Sequence, residues 1–131
     1  MTFIVSRIKW ILLVSGTLTC TMIYAAVAPE AALESMFGTT LNGPAAEVVV
    51  RNWGALIALF GATLIYAAFR PEVRTLVVAV AGIGKLIFIG LVLTYGRGFL
   101  SQQAGIAVGF DLVMVALYAA YLLGVRRERP N

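Results

Sequence analysis

Four long apolar runs constrain this chain more than anything else in it: Trp10–Ala28, Trp53–Phe69, Leu76–Tyr95 and Ile106–Val125. Each approaches the ~20 residues that a helix needs to cross a hydrocarbon layer, and the second extends upstream through Val48–Val50. In lipid a spanning segment must satisfy its own backbone, so interior glycines do not argue against helices here. A soluble bundle would need polar outer faces, and these segments have none. Hydrophobic residues make up 61% of the chain and charged ones 12%, where an ordinary soluble domain carries about 25% charged. The expected fold is all-α. It is an integral membrane four-helix bundle of antiparallel up-down topology, one transmembrane domain over residues 1–131. The helices are expected at about 8–28, 45–69, 73–95 and 102–125, with an outer loop over 29–44.

The first run has a basic start, Arg7 and Lys9, and Ala26-Val27-Ala28 resembles a signal cleavage site. Its apolar stretch exceeds the usual 7–15 residues and Pro29 follows directly. Retention as a membrane helix is the expectation. Orientation follows from the basic residues. With the N-terminus in the cytoplasm, Arg7, Lys9, Arg70, Arg74, Arg126, Arg127 and Arg129 lie inside, and only Arg51 and Arg97 lie outside. That asymmetry favours both termini in the cytoplasm, in the cell inner membrane. The net charge of +4 therefore reflects anchoring. No basic face with interleaved aromatics exists outside the spans, so nucleic acid is not an expected partner.

Between the first two spans, Pro29–Phe37 starts with Pro and Glu and is followed by Gly38, which marks a short helix. Leu33, Met36 and Phe37 share a side and are expected to lie in the interface as a small lid. Asn42-Gly43-Pro44 is a turn signal, and Arg70-Pro71-Glu72 is a tight turn on the other side. Small residues cluster at Gly54, Ala58, Gly61 and Ala62, and again at Ala79, Ala81, Gly82 and Gly84. Such clusters let membrane helices approach closely, and packing within the chain is favoured over a homo-oligomer interface. The hydroxyls of Ser15, Thr17, Thr19 and Thr21 are expected to bond back to their own helix rather than line a cavity.

Chemistry is limited by what is missing. There is no histidine and Cys20 is the only cysteine, so the chain lacks a ligand set for zinc, haem or iron–sulfur and cannot build a Ser-His-Asp or Cys-His mechanism. Gly82-Ile83-Gly84 lacks the strand-turn-helix setting of a dinucleotide fingerprint. No enzymatic activity, metal or cofactor is expected.

Two charges remain inside the spans. Lys85 interrupts Val73–Tyr95 and Asp111 interrupts Ala104–Val125, and the short link Gly96-Arg97-Gly98 makes these a helical hairpin. Counted from the turn, both lie ~14–15 Å deep at ~1.5 Å per residue, near mid-membrane. Charge at that depth is costly and is paired or functional. The pair is expected to be either a structural ion pair fixing register or a polar anchor in a greasy cavity. Phe88 and Val92 continue the Lys85 face, and Met114, Val115 and Tyr118 continue the Asp111 face. Glu47 and Arg51, four apart in the favourable order, are secondary candidates with Phe88 and Tyr118.

The run Ala28-Pro29-Glu30-Ala31-Ala32-Leu33 ahead of Phe37-Gly38, then Leu41-Asn42-Gly43-Pro44-Ala45-Ala46, Arg51 before Gly54, and the turn Ala67-Ala68-Phe69-Arg70-Pro71 carry a family resemblance. It is to a bacterial family of small four-helix membrane proteins of unknown function, distantly similar to the DoxX-like proteins. The resemblance implies a bundle in the bacterial inner membrane and, for DoxX relatives, association with quinone-linked oxidoreductases. It supplies no catalytic residues. The expected function is a non-enzymatic membrane module that binds a hydrophobic small molecule or lipid, or serves as a subunit of a larger complex. The alternative is a small oligomeric transporter or channel using Lys85 and Asp111.

Overall fold

The computed structural model describes residues 2–128, and these are all-helical. Arg129, counted above with the basic residues, and the end of the tail lie outside the described residues. The first span is α1 (Thr2–Cys20), a 3-10 turn (Thr21–Ile23) and α2 (Tyr24–Val27) in near continuity. It begins earlier than expected because Phe3, Ile4 and Val5 extend the apolar run, and Ser6 Oγ donates back to the Phe3 carbonyl at 2.9 Å. Then come α3 (Pro29–Phe37), α4 (Pro44–Phe69), a 3-10 turn (Pro71–Val73), α5 (Arg74–Tyr95), a 3-10 link (Arg97–Ser101) and α6 (Gln103–Glu128). α6 continues past Val125 because Arg126 and Arg127 in its last turn suit the negative end of a helix dipole. Gly38 ends α3 at φ 70°, in the left-handed region, with its N–H on the Glu34 carbonyl at 2.9 Å.

Four helical segments are long and apolar enough to cross a membrane: Phe3–Val27, Pro44–Phe69, Pro71–Tyr95 and Gln103–Arg127. Only 22% of the most apolar stretch of each is buried inside the protein. The outward faces carry Leu59, Leu76, Ile83, Ile87 and Ile106, all more than half exposed. Such a continuous apolar exterior is what a bilayer solvates and water does not.

α1 packs most extensively on α4, and α5 on α6; the α1–α6 and α4–α5 seams that join the two pairs are both thinner. All four spans share one core, at the end of the bundle marked by Ile8, Ala68 and Tyr121 and built around Leu12, Leu64, Val78, Met114 and Tyr118. At the opposite end a smaller cluster, Ile89, Val92 and Val108, belongs to α5 and α6 alone. The bundle is therefore closed at one end and split at the other. Into that split goes α3, whose Ala32, Leu33 and Met36 are buried against protein. Leu33 and Met36, expected at the membrane interface as part of a small lid, are buried against the bundle.

The close approach lies between the first two spans. A Cβ added to Gly61 would fall 2.6 Å from Cys20 N and 2.7 Å from Gly16 O, and one on Gly54 would fall 2.6 Å from Ala25 Cβ. Backbones touch there. The α5 cluster behaves differently: Ala81 is buried, but a Cβ on Gly82 would meet only Tyr118 Cδ2 at 3.7 Å, and one on Gly84 would meet nothing within 4 Å. Gly82 and Gly84 do not form a tight seam: a Cβ on Gly82 would be in ordinary contact with the Tyr118 ring, and Gly84 faces open space. The glycine partner of Gly61 is Gly16, on the first span.

Arginines end three of these helices. Arg74 donates from Nε to the Ala67 carbonyl (2.9 Å) and from Nη2 to that of Ala68 (2.6 Å), closing α4. Arg51 Nη1 donates to the Ala26 and Val27 carbonyls at the end of the first span, and Arg97 Nε to that of Leu93 (2.9 Å) near the end of α5. Terminal carbonyls have no intrahelical partner, and leaving them bare near hydrocarbon costs several kcal/mol each.

Gly61→Ala should destabilise the protein by about 1–3 kcal/mol, since neither backbone can retreat, whereas Gly84→Ala should be neutral or slightly stabilising. Melting in mild detergent checks this. Equal shifts for the two substitutions would mean that the α1–α4 crossing is not close-packed.

Candidate functional site

The two charges inside the spans meet. Lys85 Nζ donates to Asp111 Oδ1 at 2.8 Å, and the two side chains are only 11% and 15% exposed. The Lys85 ammonium also lies 5.7 Å from the centroid of the Phe110 ring, near enough for a cation–π contact. The ion pair bridges α5 and α6 between the shared core and the smaller α5–α6 cluster. Its formal charges cancel, and no buried side-chain polar atom among the described residues lacks a partner. Such a pair fixes register strongly, because removing either member strands the other in a low-dielectric setting.

Tyr118 is almost fully buried, on the Asp111 face of α6. Its hydroxyl is hydrogen-bonded to Ser15 Oγ across the α1–α6 contact. Ser15 is thus an exception to back-bonding, while Thr19 and Thr21 follow the expected pattern, donating to the Ser15 (2.6 Å) and Leu18 (2.5 Å) carbonyls. Sequence reasoning missed Ser15 because a lone serine in a helix gives no sign of which face it shares with a distant tyrosine.

Phe88 goes elsewhere. It lines a groove of about 310 Å³ between α3, α4 and α5, walled by Phe37, Trp53, Tyr95 and Phe99 and floored by Val92. The Phe37 ring packs edge-on to Phe99 with centroids 5.1 Å apart, and tilted against Trp53 at 6.2 Å. This is the open end of the split bundle, where α4 and α5 separate. Sequence reasoning did not find the groove, because its aromatics come from four separate elements. The one available signal was the tendency of Trp and Tyr to cluster at span ends.

Beside it lies a cleft of about 610 Å³, lined by the start of α3, the turn before α4 and the first turns of α4. Glu30, Glu47 and Arg51 give it its charge. Arg51 is heavily engaged: Nε and Nη2 reach Glu47 Oε1 at 3.1 and 2.8 Å, and Nη1 serves the two carbonyls of the first span. Leu33 and Val50 line both the cleft and the groove. Neither cavity is lined by Lys85, Asp111 or Tyr118, so the polar residues of the core and the accessible spaces occupy different parts of the molecule. No group of three or more metal-ligating side chains occurs among the described residues.

Lys85→Met alone and Asp111→Leu alone should each destabilise the protein by about 3–5 kcal/mol, and the double substitution by clearly less than their sum. A double-mutant cycle on detergent melting measures the coupling. Additive single effects would show that the two charges do not support each other.

No protein-family model, curated protein or solved structure matches the chain.

Proposed function

We propose that this protein is a non-enzymatic membrane module that holds a hydrophobic small molecule or a lipid in the groove between α3, α4 and α5. The observation that carries the proposal is the aromatic wall of that groove: five rings around about 310 Å³ at the open end of an otherwise closed bundle. Pockets of this size with mostly apolar walls suit small apolar ligands. The thin α4–α5 seam offers a lateral entry from lipid.

The proposed setting is a cell inner membrane, with the four spans alternating up and down and both termini cytoplasmic. Opposed positions support the alternation, with Gly16 against Gly61 and Ala25 against Gly54. Basic residues support the orientation: Arg7, Lys9, Arg70, Arg74, Arg126 and Arg127 share one end. In a Cys20→Ala background, an impermeant thiol reagent should label a cysteine placed at Thr40 and spare one at Glu72. The opposite pattern would invert the topology.

A second reading, a subunit of a larger and quinone-linked complex as the DoxX-like resemblance implies, draws on the open glycines. Side chains added at Gly84, Gly90 and Gly109 would meet nothing within 4 Å, which leaves room for a partner helix. The transporter alternative is weaker, because Lys85 and Asp111 neutralise each other.

Trp53 reports on the groove directly. In a Trp10→Phe variant, a brominated long-chain alcohol added to neutral detergent micelles should quench Trp53 emission saturably, at a low mole fraction. Quenching that rises only in proportion to the alcohol would mean contact at the protein surface, and the groove reading would fall.

A further inference from the structure

The groove does not stand alone. Leu33 and Val50 form one wall shared with the larger polar cleft, so the two spaces lie side by side. The charge of that cleft opposes the charge of the protein. The chain carries +4 overall, yet the cleft is lined by two carboxylates, Glu30 and Glu47, against the single guanidinium of Arg51. That guanidinium is already spent on Glu47 Oε1 and on the Ala26 and Val27 carbonyls. Glu30 makes no ion pair among the described residues. The second carboxylate oxygen of Glu47 takes no part in the Arg51 pair.

We infer that the groove and the cleft together form one site for an amphiphile with a cationic head. Its apolar body lies among Phe37, Trp53 and Phe99, and its ammonium faces Glu30 and the free oxygen of Glu47. The inference rests on the groove reading above and adds the head group to it. One feature of the geometry favours a cation over an anion: the charge left unpaired in the cleft is negative. The bulk field of a cationic protein acts the other way, drawing anionic amphiphiles to its surface. A cation preference therefore isolates the cleft from the general charge of the molecule.

The test uses the full chain with Trp10→Phe in neutral maltoside micelles. Three brominated probes share one chain length: an alkyltrimethylammonium, a neutral alcohol and an alkyl sulfate. The ammonium should reach half-maximal quenching of Trp53 at a mole fraction about threefold below the alcohol, with the sulfate weaker than both. Glu30→Gln, in the exposed first turn of α3, should bring the ammonium close to the alcohol. Glu34→Gln, one turn along the same helix and outside the cleft, should leave the preference intact. Saturable quenching by all three probes with equal midpoints would overturn the cationic-head assignment and leave the groove standing. An ammonium preference that Glu30→Gln does not reduce would also overturn it. Saturable quenching by none of them would remove the groove itself.

Discussion

The contact between Gly16 and Gly61 sets the form of the whole bundle. A lipid bilayer gives two apolar helices no hydrophobic reason to associate, so packing quality decides which pairs form. Where a Cβ at either position would press into the facing backbone, α1 and α4 achieve a contact that no other pair of spans matches. α5 then has its main partner in α6, where the Lys85–Asp111 bond links the two helices beside their apolar contacts. The bundle is two tight pairs joined through a common core. Tyr118 joins them: it belongs to the α5–α6 pair, yet its hydroxyl reaches Ser15 on α1.

Joining two pairs at one end leaves the other end open. The shared core around Leu12 and Leu64 draws on all four spans, and near Val92 and Val108 the buried cluster comes from α5 and α6 alone. The gap is filled partly by α3 and partly by rings. Phe37 from α3 packs on both Trp53 from α4 and Phe99 from the link before α6 where helix-to-helix packing stops. Aromatic edge contacts tolerate imperfect fit better than aliphatic interdigitation and leave spaces between them. The groove is thus a consequence of how the pairs are joined. Arg51 ties the same region together by bonding the end of the first span from the second turn of α4.

Membrane thickness works as a ruler, and that is why part of this structure was legible from sequence. Residue counts from a turn give depth directly, so Lys85 and Asp111 matched before any coordinates, and the 2.8 Å contact follows from two equal depths on adjacent helices. Local signals were legible for the same kind of reason. Pro29 and Gly38 bound α3 through constraints on their own backbone. Azimuth was not legible. Gly61 and Gly84 look alike in sequence, yet one is pressed against a backbone and the other faces open space, and only the helix rotation distinguishes them. The cleft and the groove were invisible for a further reason. Their walls combine α3, two turns and parts of three spans, and no spacing along the chain encodes that meeting.

The separation of charge from cavity bears on where function resides in such a protein. A charge in mid-membrane is commonly a functional residue because it is so costly to keep. Here the cost is offset within the fold: the ammonium has its carboxylate, and a ring beside it as well. A group already satisfied has little left to offer a ligand, and opening the pair to bind one would expose two charges to hydrocarbon. Glu30 is in the reverse position, exposed at the edge of a cavity, in no ion pair among the described residues, and cheap to keep because water reaches it. In this chain the expensive charges are satisfied by each other. The inexpensive one, Glu30, lines the cleft beside the aromatic groove.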